Sequence, residues 1–257
     1  MTSSLSEPVC VPPIAAGGRP YRVRLAASGR DLQAAQSLRF SVFNLELREG
    51  LSQSYATGRD ADPFDAVCEH LIVEDVRDGA VVGTYRMQSG PQAAAGLGYY
   101  SAREFDLRGF EPQRAQILEL GRACVHRQHR NFSVLNLLWK GIAAHARQCG
   151  ARYLIGCSSL TSQEPAQGVS AYRQLASKLA PAAWRTTPLA EYRCDSALES
   201  MRPAPIPRLM SAYLALGAAV CGPPALDREF GTIDFLTWLD LESPMMQALQ
   251  RRGRFIA

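Results

Sequence analysis

Three carboxylates within six residues, Asp60-x-Asp62-x-x-Asp65, could ligate a cation, pair with guanidinium groups or hold a substrate ammonium. An EF-hand is excluded, because no Gly stands at the turn position and no Glu at the twelfth. Arg39 and Arg86 are the expected partners of these acids. Arg39 and Phe43 stand four apart, with Glu46 beyond, and so share roughly one face of a helix. The same spacing fits an amphipathic helix with a snorkelling Arg. Arg86 ends the run Val82-Gly83-Thr84-Tyr85-Arg86, in which Gly83 marks a bulge or a close backbone approach.

Glu119-Leu120-Gly121-Arg122 lies inside an apolar strand pattern. Its two charges are costly to bury unless paired. Strict alternation puts Glu119 and Arg122 on opposite faces. A bulge near Gly121 would bring both to one cavity. A buried carboxylate with a raised pKa suits a general base. Arg127-Gln128-His129-Arg130-Asn131-Phe132-Ser133 leads into a helix. Arg127, Arg130 and the backbone near Ser133 are therefore candidates for binding a phosphate at the helix N-terminus. Tyr172 is a weaker candidate, as an acid for a leaving thiolate or as a core Tyr. His126 and His129 lack metal-ligand spacing, and no metal site is expected.

The elements that must position these residues are legible as periodicities. Strand patterns cover 21–27, 70–76, 80–87, 116–126, 153–160 and 232–239. Helix patterns cover 32–47, 133–149, 169–179, 207–217 and 244–252, with Asp31 as a cap for the first. Residues 48–66 read as a long loop. Hairpin strands followed by strand–helix–strand–helix imply an α/β (α+β) mixed sheet with helices on its faces. Residues 1–19 read as a disordered lead, 20–180 as the core, and 181–257 as an extension completing the sheet.

The chain has 257 residues, 47% hydrophobic and 20% charged, which excludes wholesale disorder. Its longest weakly polar stretch, 209–221, is short of the ~20 residues of a spanning helix. The first twenty residues carry no secretory pattern. Seven Cys with no CxxC spacing fit reduced thiols in a cytoplasmic protein. Net charge is +4, but it is segregated: 46–78 is acidic and 101–152 basic, which suits a cationic substrate and an anionic partner. No basic patch is interleaved with aromatics, so nucleic-acid binding is not expected.

Together, Arg39, Phe43, Asp60, Asp62, Asp65, Gly83-Thr84-x-Arg86 and Glu119-x-x-Arg122 resemble the acyl-homoserine-lactone synthases of the GNAT superfamily. Three departures stand out: Asp60 stands where those synthases usually carry Glu, Leu51-Ser52-Gln53 replaces an aromatic-rich lead, and its Trp is missing. The segments 119–160 and 207–241 resemble more closely the bacterial ornithine N-acyltransferases that make lyso-ornithine lipid. Phe132 stands where that group usually has Gly. The resemblance implies a GNAT fold with a C-terminal extension. Its sheet splays between 116–126 and 153–160, and the donor's pantetheine arm lies in the splay. The implied reaction moves a (3-hydroxy)fatty acyl group from acyl carrier protein, or acyl-CoA, to the α-amine of L-ornithine. No cofactor beyond this co-substrate is implied. Glu119 is the expected base, with Arg122 and Tyr172 also catalytic. Arg39, Phe43, Asp60, Asp62, Asp65 and Arg86 are expected at the substrate, and Arg127, Arg130 and Ser133 at the phosphopantetheine. Peripheral inner-membrane contact is expected through 209–221 and the basic C-terminus. Alternatives are acylation of glycine or lysine, lactone synthesis, or a non-catalytic module that binds carrier protein or a membrane surface.

Overall fold

The computed structural model describes residues 14–16, 19–195 and 203–251. Apolar–polar alternation places Tyr21 and Val23 in the core from β2 (Arg19–Leu25). Arg22 and Arg24, on its other side, pair with Glu74. Strand β1 (Ile14–Ala16) pairs antiparallel with β2, so part of the expected disordered lead is ordered. Residues 1–13 and 17–18 of that lead lie outside the described residues. Strands β3 (Glu69–Asp75) and β4 (Ala80–Ser89) form the predicted hairpin, with Gly79 at φ +73° in its turn. The sheet continues through β5 (Ile117–Val125) and β6 (Tyr153–Leu160). The C-terminal part adds β7 (Ala219–Val220), β8 (Ala225–Asp227) and β9 (Thr232–Asp240). The order is β1-β2-β3-β4-β5-β6-β9-β7, with β8 also on β9. Of these pairings, β5 with β6 alone is parallel.

Helices cover both faces. Ser28 caps α1 (Gly29–Phe40) by accepting from the Asp31 N–H, so Asp31 is a first-turn acid and not the cap. The chain then widens into a π-helix, Ser41–Leu47, ended by Arg48 at φ +58°. A uniform 3.6 period therefore misplaces the far end of the predicted 32–47 helix. Asn131 caps α3 (Phe132–Gln148), whose Val134, Leu137 and Leu138 pack on Val23, Leu71 and Met87. Helix α2 is Gly90–Ala95. Helix α4 (Pro165–Gln174) starts at a proline and gives way to a tighter turn at 176–178, earlier than the sequence pattern suggests. Helices α5 (Arg208–Ala215) and α6 (Pro244–Arg251) complete the chain. The apolar stretch expected at a membrane is partly consumed in packing, since Met210, Ala218, Val220 and Cys221 are buried. Residues 252–257, which hold most of the basic C-terminus, lie outside the described residues. No described helix is long and apolar enough to cross a membrane.

Strands β5 and β6 pair only over Ile117–Glu119 and Tyr153–Ile155. Gly156 marks their closest approach, where a Cβ would lie 2.2 Å from the Leu120 carbonyl oxygen. Beyond it β6 follows β9, and the edge of β5 is left open. Gly156→Ala would force this backbone contact apart and should destabilise the fold by about 1–3 kcal/mol in urea unfolding. Gly121→Ala, with nothing within 4 Å of the added carbon, should be neutral or stabilising in the same assay.

Candidate active site

Two register shifts shape the site. One in the β3–β4 hairpin falls between Val73 and Glu74. Close by, Gly83 lets α3 approach, because a Cβ there would sit 3.2 Å from Val134 Cγ1. The second shift leaves Arg122 and Ala123 opposite Tyr85 alone. It is the bulge expected near Gly121, displaced by one residue: Arg122 itself takes the left-handed conformation, at φ +50°. For a non-glycine residue this costs on the order of 1 kcal/mol. The extra residue shifts the alternation, so Glu119 and Arg122 both reach the wall of one cavity.

Arg122 is held there by a charge cluster. Its Nε lies 3.2 Å from Asp60 Oδ2, and its Nη2 donates to Asp62 Oδ2 at 3.0 Å. Arg86 Nη1 donates to Asp62 at 2.6 Å and to Asp65 at 3.0 Å. Arg39 from α1 lies 2.9 Å from Asp60 Oδ2 and binds Asp65 with both Nη atoms, at 3.0 and 2.5 Å. Gln36 donates to Asp65, and Asp62 caps the turn Pro63–Ala66 through the Phe64 N–H. Three arginines thus meet three aspartates, all buried or nearly so. Burial raises the Asp65 carboxyl pKa, but Arg39 and Arg86 outweigh it and hold the group well below the usual range. Asp62 is likewise lowered against burial, by Arg86 and Arg122. Their stabilisation is present above the ordinary carboxylate range and lost as pH falls through the lowered folded values.

The cluster corrects one sequence expectation. Asp60, Asp62, Asp65 and Arg39 do not line the cavity; they spend their charge on the arginines behind its wall. Phe43, Arg86, Glu119 and Arg122 do line it. Arg122 lies against the Tyr100 and Phe230 rings, 4.8 and 4.5 Å from their centroids, and Phe43 meets Phe230 edge to face.

The cavity has a volume of about 330 Å³ and opens into the splay. On the α3 side it is apolar, with Met87, Leu120, Trp139, Leu154, Met210 and Leu239. On the other side of the sheet it is polar, with Glu49, Arg86, Glu119, Arg122, Thr161 and Asp234. Glu119 Oε2 accepts from the Tyr100 N–H at 2.7 Å; its Oε1 accepts from the Ser101 N–H at 2.8 Å and the Ser101 hydroxyl at 2.6 Å. Burial pushes its pKa up against the pull of these donors. One acceptor position of the carboxylate is not taken by them.

Other expected residues are placed elsewhere. Tyr172 packs half-buried against the hydrophobic cluster of Leu160, Ala171 and Leu175 and is not on the cavity wall. Arg130 is clamped by Glu46 at 2.5 and 2.8 Å. Arg127 is exposed, and Ser133 is the second residue of α3, where helix geometry leaves its N–H without an intrahelical partner. Sequence reasoning missed Tyr100, Ser101 and Glu49, which lie in loops or on the π-helix exit with no periodic signal. It also missed Asp234, although an acid inside the apolar run Thr232–Leu239 carries the signal that singled out Glu119.

Residues 38–140 match the family model described as "Acetyltransferase (GNAT) domain". The L-ornithine N(alpha)-acyltransferase of Brucella abortus (strain 2308) is 35% identical over 241 residues, covering 86% of this chain and 84% of that protein. The L-ornithine N(alpha)-acyltransferase of Rhodobacter capsulatus is 30% identical over 247 residues, covering 90% and 93%. The chain belongs to the L-ornithine N(alpha)-acyltransferase family. Among solved structures, the AHL synthase LasI is 15% identical with a TM-score of 0.54, covering 93% of this chain and 98% of its own. FeeM, an N-acyl amino acid synthase from uncultured soil microbes, is 12% identical with a TM-score of 0.53, covering 90% and 98%. At these identities the likeness is one of fold: a mixed GNAT-like sheet with helices on its faces.

Replacing Arg39 with Ala would leave Asp60 and Asp65 buried with one cation fewer. It should cost about 3–5 kcal/mol in urea unfolding. The cavity carboxylates behave in the opposite sense. Burial pushes Glu49 from 4.5 up to about 7, the nearby Asp234 charge adding to it. A raised folded pKa favours the fold below the unfolded value, and that advantage is lost as pH rises through the folded value. Wild type should therefore lose stability relative to Glu49→Gln between pH 4.5 and 7, read as the difference in urea midpoints at each pH.

Proposed function

We propose that this chain transfers a fatty acyl group from a carrier thioester to the α-amine of L-ornithine, giving an N-acyl amino acid. The observation that carries this reading is the cavity itself, which joins an apolar arm to a charged chamber through the β5–β6 splay. A long acyl chain suits the first, and a zwitterionic amino acid the second. Family membership supports the same acceptor.

In this reading the thioester carbonyl lies at the bulge of β5. A backbone N–H of Arg122 or Ala123, left out of the ladder, donates to the developing oxyanion. Arg86 Nη2 is buried without a hydrogen-bond partner, and it binds the substrate carboxylate together with Arg122. Glu119 takes the proton from the α-amine, directly or through a water. The amine then forms the C–N bond, the C–S bond breaks, and the carrier leaves as a thiol after protonation. Asp60, Asp62, Asp65 and Arg39 act behind the wall, holding the two arginines in place.

The donor is an acyl carrier protein. Its phosphopantetheine would reach the N-terminus of α3 near Ser133, with Arg127 exposed beside it. The basic 101–152 stretch favours an acidic carrier. Because the product is a lipid, release at the inner-membrane surface is part of the proposal.

The test is an assay of the purified chain with 3-hydroxyacyl carrier protein and, separately, ornithine, glycine, lysine and S-adenosylmethionine, with products read by mass. N-acyl ornithine is expected. Glu119→Gln should lower its rate of formation by about 10²–10⁴-fold. Acylation of another amine alone would overturn the acceptor, and an unchanged rate in the variant would remove Glu119 from proton transfer.

A further inference from the structure

The charged chamber holds more acid than its arginines neutralise. Arg39, Arg86 and Arg122 are matched by Asp60, Asp62 and Asp65. Besides Glu119, the acids Glu49, Glu104, Asp227 and Asp234 remain, and among the described residues none of them has an ion-pair partner; Asp227 accepts instead from the Glu229 and Phe230 N–H groups of the turn that follows it. Glu49 accepts one hydrogen bond, from Thr161 at 2.9 Å. Asp234 lies on the cavity wall, is 5% exposed, and its Oδ1 has no hydrogen-bond partner. Both carboxylate oxygens of Glu104 are buried, and the carboxyl of Asp234 is its neighbour, so that the two acids can share a proton but neither supplies the other with a positive charge. A Glu104 oxygen, a Cys157 sulfur and an Asp234 oxygen lie within 4.8 Å of one another. Unpaired buried carboxylates are costly, and a fold keeps them where a ligand supplies the missing charge and donors.

We infer that Glu49 and Asp234, with Glu104 behind Asp234, form the recognition site for a side-chain ammonium on the acceptor amino acid. This deepens the proposed function and rests on it. An ammonium offers three hydrogen-bond donors and one positive charge, and the positive charge is what these groups lack. Glu49 and Asp234 share the polar side of the cavity with Arg86, Glu119 and Arg122. The α-carboxylate and α-amine would face the arginines and Glu119, and the side chain would extend toward the acids. An amino acid with an apolar side chain would leave the carboxylates unpaired, so the site selects by penalty as well as by attraction. Burial raises the Glu104 and Asp234 pKa values, as it does for Glu49. A bound cation reverses that pressure.

The test is a competition. Equal concentrations of L-ornithine and L-norvaline, which has the same carbon chain without the ammonium, are offered with acyl carrier protein, and the ratio of the two products is read by mass. Wild type should favour ornithine. In Glu49→Gln and in Asp234→Asn the ratio should fall by about 10–100-fold. Wild type making no N-acyl ornithine would defeat the proposed function itself. Wild type making it, with the ratio unmoved in both variants, would defeat only this inference. Total loss of both products in both variants, with native circular dichroism, would also overturn it, since a recognition site sets preference. One equivalent of metal in purified wild type, absent from Asp234→Asn, would assign the acids to a metal ion and overturn it too.

Discussion

The site depends on the burial of Arg122 in a left-handed conformation at the bulge of β5. Holding a non-glycine residue in that conformation costs on the order of 1 kcal/mol, and burying its charge costs more. The compensation is the set of ion pairs to Asp60 and Asp62 and the two aromatic rings beside the guanidinium. Removing any one aspartate would leave a buried cation short of charge, so the cluster is held together by the cost of breaking it more than by the net attraction of each pair. The bulge in turn puts Glu119 and Arg122 on one wall and takes part of β5 out of its ladder.

The same cluster fixes the acidic loop. Asp60, Asp62 and Asp65 come from a segment of tight turns with little regular structure. The segment is anchored by Arg39 on α1, Arg86 on β4 and Arg122 on β5, so three elements far apart in sequence meet over it. Asn44 on the π-helix adds a hydrogen bond to the Leu51 carbonyl and ties the start of the loop to the helix. With these charges closed on themselves, the electrostatic character of the cavity is set by the carboxylates left over, Glu49, Glu119, Asp227 and Asp234 on its wall and Glu104 beside Asp234.

Much of this frame was legible before folding. The sheet, the hairpin and α3 follow from periodicity and turn residues. The pairing of the acidic loop with Arg39 and Arg86 follows from the cost of burying charge. The winding of 41–47 was not legible, because a π-helix carries no distinct apolar period. Residues 88–115 were also opaque. Their short helices and turns have no repeating pattern, yet Tyr100 and Ser101 from this segment hold Glu119. Tyr172 illustrates the converse: its residue type suits an acid, but it rests half-buried against a hydrophobic cluster away from the cavity wall.

The sequence by itself determined that Glu119 and Arg122, set in an apolar strand, need partners, because that is a property of residue type and apolar surroundings. It also determined the order of the six longer strands and of the main helices, but not β1, α2, β7 or β8, because alternation and turn chemistry are local and these elements are too short to show them. Only the tertiary structure decided which acids were consumed in pairing and which were left facing the cavity. Asp62 and Glu49 look alike in sequence. They differ in that two guanidinium groups reach one and only a Thr161 hydroxyl reaches the other. That difference arises from contacts between segments 24, 60 and 112 residues apart, where the parting of β5 from β6 opens the space that a substrate would fill.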